Sequence, residues 1–461
     1  MSRQDSPLSL GTDSLSSLLW RYAMPAIIAQ VSASLYNIID SIFVGQGVGP
    51  LAISGLALTM PVMNLSAAFG AMVGVGSSAL TSIRLGQGNK RAAELILGNV
   101  VLLNVVMGVA FMALGLIYLD DLLYMFGASD ESIPYAREFM RVILIGNVIT
   151  HLYLGLNNQL RVTGYPQKAM HTMLLSVVLN LVLCPLFIFV FKWGIAGSAW
   201  ATVIAQTVAL GWQLHHFSRK RYFLSFRRDS FRFNWDIVRG TLSIGMAPFI
   251  MQCCACVVVI FVNNTMQDYG GDLAIGAYGI VNRVAFLFTM VVMGLNHGMQ
   301  PIVGYNYGAK NYERVRRILF MTIGWATLVT TVGFLVCQLF PEYVVRLFAK
   351  EDGSGDATQL IALASHGLQA ILIAFPIVGF SIVVGNFFQY IGKAKRAILL
   401  SMTRQMLFIL PLLVVLPPKW GQDGVWYSIP IADTMAMVLA LGLLIYQLRK
   451  LRRTPDSERS I

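Results

Sequence analysis

The sequence predicts an all-α polytopic membrane protein, with twelve transmembrane helices in two pseudo-symmetric six-helix bundles. Three observations carry that prediction. The 461 residues are 56% hydrophobic and only 12% charged, against roughly 25% charged in soluble domains, and the mean hydropathy is +0.66. Twelve apolar segments follow one another along the chain. The second six repeat landmarks of the first six at a nearly constant offset.

Residues 1–17 are mostly polar and lack the basic start and short apolar core of a signal peptide, so they are expected to form a cytoplasmic N-terminal segment. Apolar segments then fall at 18–44, 52–82, 93–118, 136–160, 168–192 and 194–216, which form an N-lobe over 18–216. A basic cytoplasmic linker, 217–237, leads to a C-lobe over 238–447 with segments at 238–266, 274–300, 317–340, 362–388, 396–416 and 425–447. Most exceed the ~20 residues that cross a bilayer as helix. The fifth and sixth are nearly continuous, and Lys192, Trp193 and Gly194 supply the break. Residues 448–461 form a cytoplasmic tail.

Charge orients the chain. Basic residues gather after the second, sixth, eighth and tenth segments, at Arg84, Lys90 and Arg91, at Arg219 to Arg239, at Lys310 to Arg317 and at Lys393 to Arg396, and again in the tail. The opposite connections carry Asp120, Asp121, Asp130 and Glu131, or Glu342, Glu351, Asp352 and Asp356. This alternation puts both termini in the cytoplasm of a multi-pass cell-membrane protein, with a bacterial inner membrane as the expected setting.

The halves match internally. Gly86 pairs with Gly308 and Asn89 with Asn311, each 222 residues apart, and Asn158 and Gly164 pair with Asn386 and Gly392, 228 apart. Pro25 and Pro248 open the two sets. Six spans per half relate the repeats by an axis along the membrane normal, with a cavity between them. That arrangement favours alternating access over a continuous pore.

Several functions are excluded. The net charge of +12 sits in short loops and reads as topology, not as a nucleic-acid footprint. Cys184, Cys253, Cys254, Cys256 and Cys337 all lie in apolar runs, which argues against disulfides and against a zinc site. No Walker sequence suggests direct use of ATP, so an ion gradient is the expected energy source and no enzymatic activity is expected.

Asp40 stands out, in Leu35-Tyr36-Asn37-Ile38-Ile39-Asp40 of the first segment. A carboxylate at the bilayer centre costs about 2.5–3.5 kcal/mol or more, so such residues face a protein interior or cavity and are candidates for ion coupling. Structural bonding to a neighbouring helix is the plain alternative. Arg283 and Asp433 are further embedded charges, candidates for coupling or gating, and Arg404 reads as an interfacial anchor. Gln252 and Asn263 mark a polar stripe in the seventh segment that would line a substrate cavity or bond helix to helix. Pro25, Pro248, Pro376 and Pro411 are candidate bends.

From Leu18 to Leu448 the chain resembles the multidrug and toxic compound extrusion (MATE) family. The resemblance rests on Pro25 with Leu35–Asp40, on Gly86-Gln87-Gly88-Asn89-Lys90, on Arg161-Val162-Thr163-Gly164, and on Gln300-Pro301-Ile302-Val303-Gly304-Tyr305-Asn306 with Gly308, in that order. It implies a cation-coupled antiporter, with no cofactor, that exports organic, cationic or amphipathic drug-like compounds by alternating access. It is expected to work as a monomer amid membrane lipid. The resemblance assigns cation coupling to Asp40, Asn180 and Thr202, with Tyr36, Asn37 and Cys184 beside them as coupling or gating candidates. Relatives commonly carry aspartate where this chain has Cys184. Sodium prefers several oxygen ligands, and Asp40, Asn180 and Thr202 would supply only some. Desolvation penalises a charged carboxylate, and a proton has looser geometric needs, so H+ coupling is favoured over Na+. A lipid or glycolipid flippase of related architecture, and a membrane receptor or channel, are the competing readings.

Overall fold

The computed structural model describes residues 8–126, 130–348 and 355–452. Glu351, Asp352 and residues 1–7 of the N-terminal segment lie outside them, as do the side chains of Asn37 and Asp356. Among the described residues ten helices are long and apolar enough to cross a membrane, and two bent pairs, each taken as one span, bring the number to twelve.

The first six are α1 (Leu15–Gly47), α2 (Pro50–Gly86), α3 (Lys90–Ile117), the bent pair α4 (Ile133–Ile145 and Asn147–Val162), α5 (Pro166–Val190) and α6 (Gly194–Ser218). The second six are α7 (Trp235–Gly271), α8 (Leu273–Gly308), α9 (Tyr312–Leu339), the bent pair α10 (Gly355–Leu372 and Phe375–Tyr390), α11 (Ala394–Trp420) and α12 (Gln422–Arg452). The fold is thus the expected all-α polytopic one, in two six-helix bundles.

Local chemistry sets the ends of these helices. Asn89 and Asn311, 222 residues apart, each accept a backbone N–H of the first turn they precede, from Ala92 and from Arg314. Gly164 (φ 101°) and Gly392 (φ 73°) turn the chain after α4 and α10 in the left-handed region that glycine adopts freely. Both bent pairs also match: α4 turns by 53° at Gly146 and α10 by 54° just before Pro376. Proline lacks an N–H donor, which explains the second bend. No comparable sequence signal marks the first, where the Cβ of any larger residue at Gly146 would strike Val203. Helix α5 ends in a π-helical turn, Leu186–Val190, after Pro185, and α11 carries another at Thr403–Ile409, before Pro411.

The bundles meet through α1 and α2 on one side and α7 and α8 on the other. Glycines make the seam close. A Cβ on Gly86 would overlap the Tyr305 carbonyl, and one on Gly308 would overlap the Ile83 carbonyl. Residues 83 and 305 are also 222 apart, so these two contacts are one contact repeated by the internal symmetry. Between them Gln300 Nε2 donates to Ser78 Oγ at 2.7 Å, again across 222 residues. Gly245 lies on the Met72 backbone, Gly294 on Ile27 and Gly298 on Ala23. Phe69 and Phe249 pack at 4.9 Å, and Gln30 meets His297 at 3.4 Å. Among the described residues these close contacts concentrate in the half that carries the basic loops. In the other half the corresponding contacts run within a bundle, as Gly47 on Ile188, Gly55 on Tyr135 and Gly270 on Gln422. The seam is therefore shut at the basic side.

The first turns of the chain reinforce that closure. The single turn Ser9–Thr12 buries Leu10 against α8 and α9. Asn306 and Arg314 donate to the Leu10 carbonyl at 2.9 and 3.3 Å, and Arg314 to that of Asp13 at 2.6 Å. A segment that reads as polar overhang is in part packed onto the second bundle.

Candidate cation-coupling site in the first bundle

Helix α1 brings Asp40 to the interface with α5 and α6, where it is only 8% exposed. Its direct partners are Ser198 and Cys184. Ser198 Oγ lies 2.9 and 2.8 Å from the two carboxyl oxygens, and the Cys184 thiol donates to Oδ1 at 3.0 Å. Both partners are fully buried. One helical turn away is a second knot of polar groups. Asn180 Nδ2 donates to Thr202 Oγ1 at 2.8 Å and to the Tyr36 hydroxyl at 3.3 Å, and that hydroxyl lies 3.0 Å from Thr202 Oγ1. The Asn180 amide oxygen is buried without a hydrogen-bond partner. Helical spacing of four residues stacks Tyr36 under Asp40, Asn180 under Cys184 and Ser198 under Thr202.

Of the residues expected beside Asp40, Cys184 touches it directly, while Asn180, Thr202 and Tyr36 bond to one another one turn away. Ser198 is the residue that sequence reasoning missed. A serine in an apolar helix carries little signal alone; its place one turn before Thr202 is the cue that would have found it. The chemistry follows from the donor set. Among the described residues no ion pair compensates Asp40; thiol and hydroxyl alone face it. An ionised carboxylate so placed is costly, and an arriving cation removes the cost. A protonated carboxyl would in turn donate to Ser198 Oγ, since a hydroxyl both gives and accepts hydrogen bonds.

The remaining candidates lie elsewhere. Asp433 on α12 is paired with Arg404 on α11 at 2.5 Å. Arg404 is the eleventh residue of its helix, roughly 15 Å in at 1.5 Å per residue, so it is an internal ion-pair partner and not the interfacial anchor its position suggested. A carboxylate already neutralised by a guanidinium is less suited to exchanging a cation than Asp40. Arg283 on α8 is exposed and in no ion pair among the described residues. Gln252 and Asn263 on α7 are half-buried, and neither joins the Asp40 cluster. Arg161, at the end of α4, is buried and donates to the amide oxygens of Asn157 and Asn158 at 3.3 and 3.4 Å, with no ion pair among the described residues. No grouping of His, Cys, Asp and Glu able to hold a metal occurs among the described residues.

Twelve spans in two bundles, a seam shut on one side and an uncompensated carboxylate inside one bundle are the build of an ion-coupled membrane transporter. The family model MatE matches residues 25–186 and 244–415, one match in each bundle, and the chain belongs to that family. It is an integral, multi-pass transporter of the cell membrane and not an enzyme. The multidrug export protein MepA of Staphylococcus haemolyticus (strain JCSC1435) is 26% identical over 438 residues, covering 95% of this chain and 94% of that protein. A multidrug resistance MATE family transporter in an outward-facing conformation superposes with a TM-score of 0.91 at 24% identity, covering 97% of this chain and 99% of the other. A transporter from Pyrococcus furiosus Vc1, whose binding pocket is described as reversed in polarity, superposes equally well, at 24% identity and the same coverage. At that identity the structural likeness speaks for the fold.

Ser198 is open to direct test. A hydrogen bond to a charged group is worth about 1.5–3 kcal/mol. Ser198→Ala is expected to lower ion-driven flux by roughly tenfold or more on that basis, while Ser198→Thr, which keeps the hydroxyl, stays near wild type. Equal flux in Ala and wild type at matched protein would make Ser198 a bystander.

Proposed function

We propose that the protein exports amphipathic organic cations in exchange for protons, with Asp40 as the group that takes up and releases the proton. The observation that carries this reading is the placement of Asp40: buried, bonded to Ser198 and Cys184, and facing no cationic side chain. Asn180, Thr202 and Tyr36 tune it from one turn away. The export direction and substrate class draw on the relatives named as multidrug exporters. Both termini are taken to face the cytoplasm, since the basic loops lie on their side of the spans. The seam is then shut toward the cytoplasm, which corresponds to an outward-facing state. Proton rather than sodium coupling is supported by Cys184, since a thiol is a poor ligand for a hard cation.

The test is dye or drug flux in proteoliposomes with proton and sodium gradients imposed separately. A proton gradient alone should drive accumulation against the substrate gradient, and a sodium gradient alone should not. Sodium-driven flux at uniform pH would overturn the coupling assignment. Cys184→Asp, which supplies the missing oxygen ligands, should raise the sodium response of the same preparation.

A further inference from the structure

We propose that the connection between α6 and α7 is a binding surface for an anionic phospholipid of the leaflet that the basic loops face. The connection is held in a fixed shape. Arg91 pairs with Asp229 at 2.8 Å and Arg227 with Glu94 at 3.4 Å. Asn99 on α3 clamps it twice, donating to the Arg232 carbonyl at 3.1 Å and accepting the Asn234 N–H at 3.0 Å. Gly98 leaves room for the Ser230 backbone to lie directly on α3. A solvated basic loop has no need of such anchoring.

The anchoring occupies Glu94 and Asp229, and leaves Asp236 exposed at the start of α7 as a single acidic group among several bases. Lys220, Arg228, Arg232 and Arg239 stay exposed and, among the described residues, in no ion pair. Beside them are exposed aromatic rings: Phe233 is 56% and Trp235 68% exposed, with ring centroids 5.8 Å apart. Arg232 and Phe233 share one cleft of about 430 Å³ with Arg91, Leu95, Asn234 and Asp229, whose carboxylate is held by Arg91. Free guanidinium groups beside exposed rings, at the point where a spanning helix begins, match a headgroup phosphate above an acyl chain. Arginine binds phosphate through paired N–H donors, and aromatic rings favour the membrane interface. Each basic residue near a membrane surface contributes about 1 kcal/mol of attraction to anionic lipid.

The experiment is native mass spectrometry of the full-length protein after exchange into detergent with equal phosphatidylglycerol and phosphatidylcholine. The wild type should retain phosphatidylglycerol in preference by about fivefold or more, the contribution of one such basic residue. The preference should shrink as salt is raised. Arg232→Gln combined with Trp235→Ala should bring retention close to parity, while Arg232→Lys keeps most of it. Equal retention of the two lipids by the wild type, or an unchanged preference in the double variant, overturns the proposal. So does loss of phosphatidylglycerol to millimolar inorganic phosphate, which would make this a site for free anion. Since the readout is bound lipid, the result is independent of which ion drives transport.

Discussion

Alanine at Gly86 or Gly308 is expected to hold the basic-side seam open. At each position the added Cβ would overlap a carbonyl of the opposing bundle, Tyr305 or Ile83. Backbone cannot rotate away as a side chain can, so the two bundles must part. Ser82, 1% exposed in the seam, reports on this. A cysteine there should react at least roughly tenfold faster with an impermeant maleimide applied from the basic side in the Gly86→Ala background, as expected if over 1.4 kcal/mol of closure energy is lost. Substrate flux should fall by a similar factor, because the state closed at the basic side is no longer reached. Gly211→Ala and Gly324→Ala are the controls. Nothing lies within 4 Å of a Cβ at either, and the change removes a flexible residue from a helix, so both should fold and transport normally. Unchanged labelling in Gly86→Ala would show that the seam yields without opening.

The second large effect is expected at Asp40→Asn. The amide keeps the shape of the carboxyl group, and its oxygen still accepts from Ser198 and Cys184, so folding should survive. What it loses is the charge that a proton or cation neutralises. Uphill flux should drop to background, and substrate binding should stay within about threefold, since less than 1 kcal/mol of contact is altered. Wild type should respond to an imposed pH gradient and the variant should not. Full coupled flux in Asp40→Asn would remove this residue from the mechanism. Asp433 would be the next embedded carboxylate to test, though it would first have to leave Arg404.

Hydropathy made the spans legible because lipid leaves little choice: every backbone group in a span must bond within its helix. The break at Lys192–Gly194 was readable for the same reason, as a charge and a glycine between two apolar runs. The bend at Pro376 was readable and the one at Gly146 was not. The π-helical turns at 186–190 and 403–409 leave no period in composition. At the site, Asp40 was conspicuous because a carboxylate in an apolar run is costly. The small neutral residues that serve it are cheap to bury, and Ser198 passed unnoticed among them. Arg404 was misread although the bounds of its segment were nearly right, because its partner Asp433 lies 29 residues on, in the next helix, and no local pattern announces that pairing. The burial of Leu10 had no signal at all, since its partners lie some 300 residues away.

The bond between Gln300 and Ser78 joins a residue to its own counterpart in the other repeat. In a dimer of two identical half-length chains, a residue on the twofold axis meets only itself. Serine against serine would leave a gap where the longer amide now reaches, and glutamine against glutamine would crowd it. A donor on one side and an acceptor on the other is possible here because both halves belong to a single polypeptide. Joining the halves therefore did more than tether them. It releases the axis from the requirement of self-complementarity, and the two copies differ where they touch, serine on one side and glutamine on the other. A chimaera made of two first halves would fold each bundle but lack a matched pair at the centre of its gate.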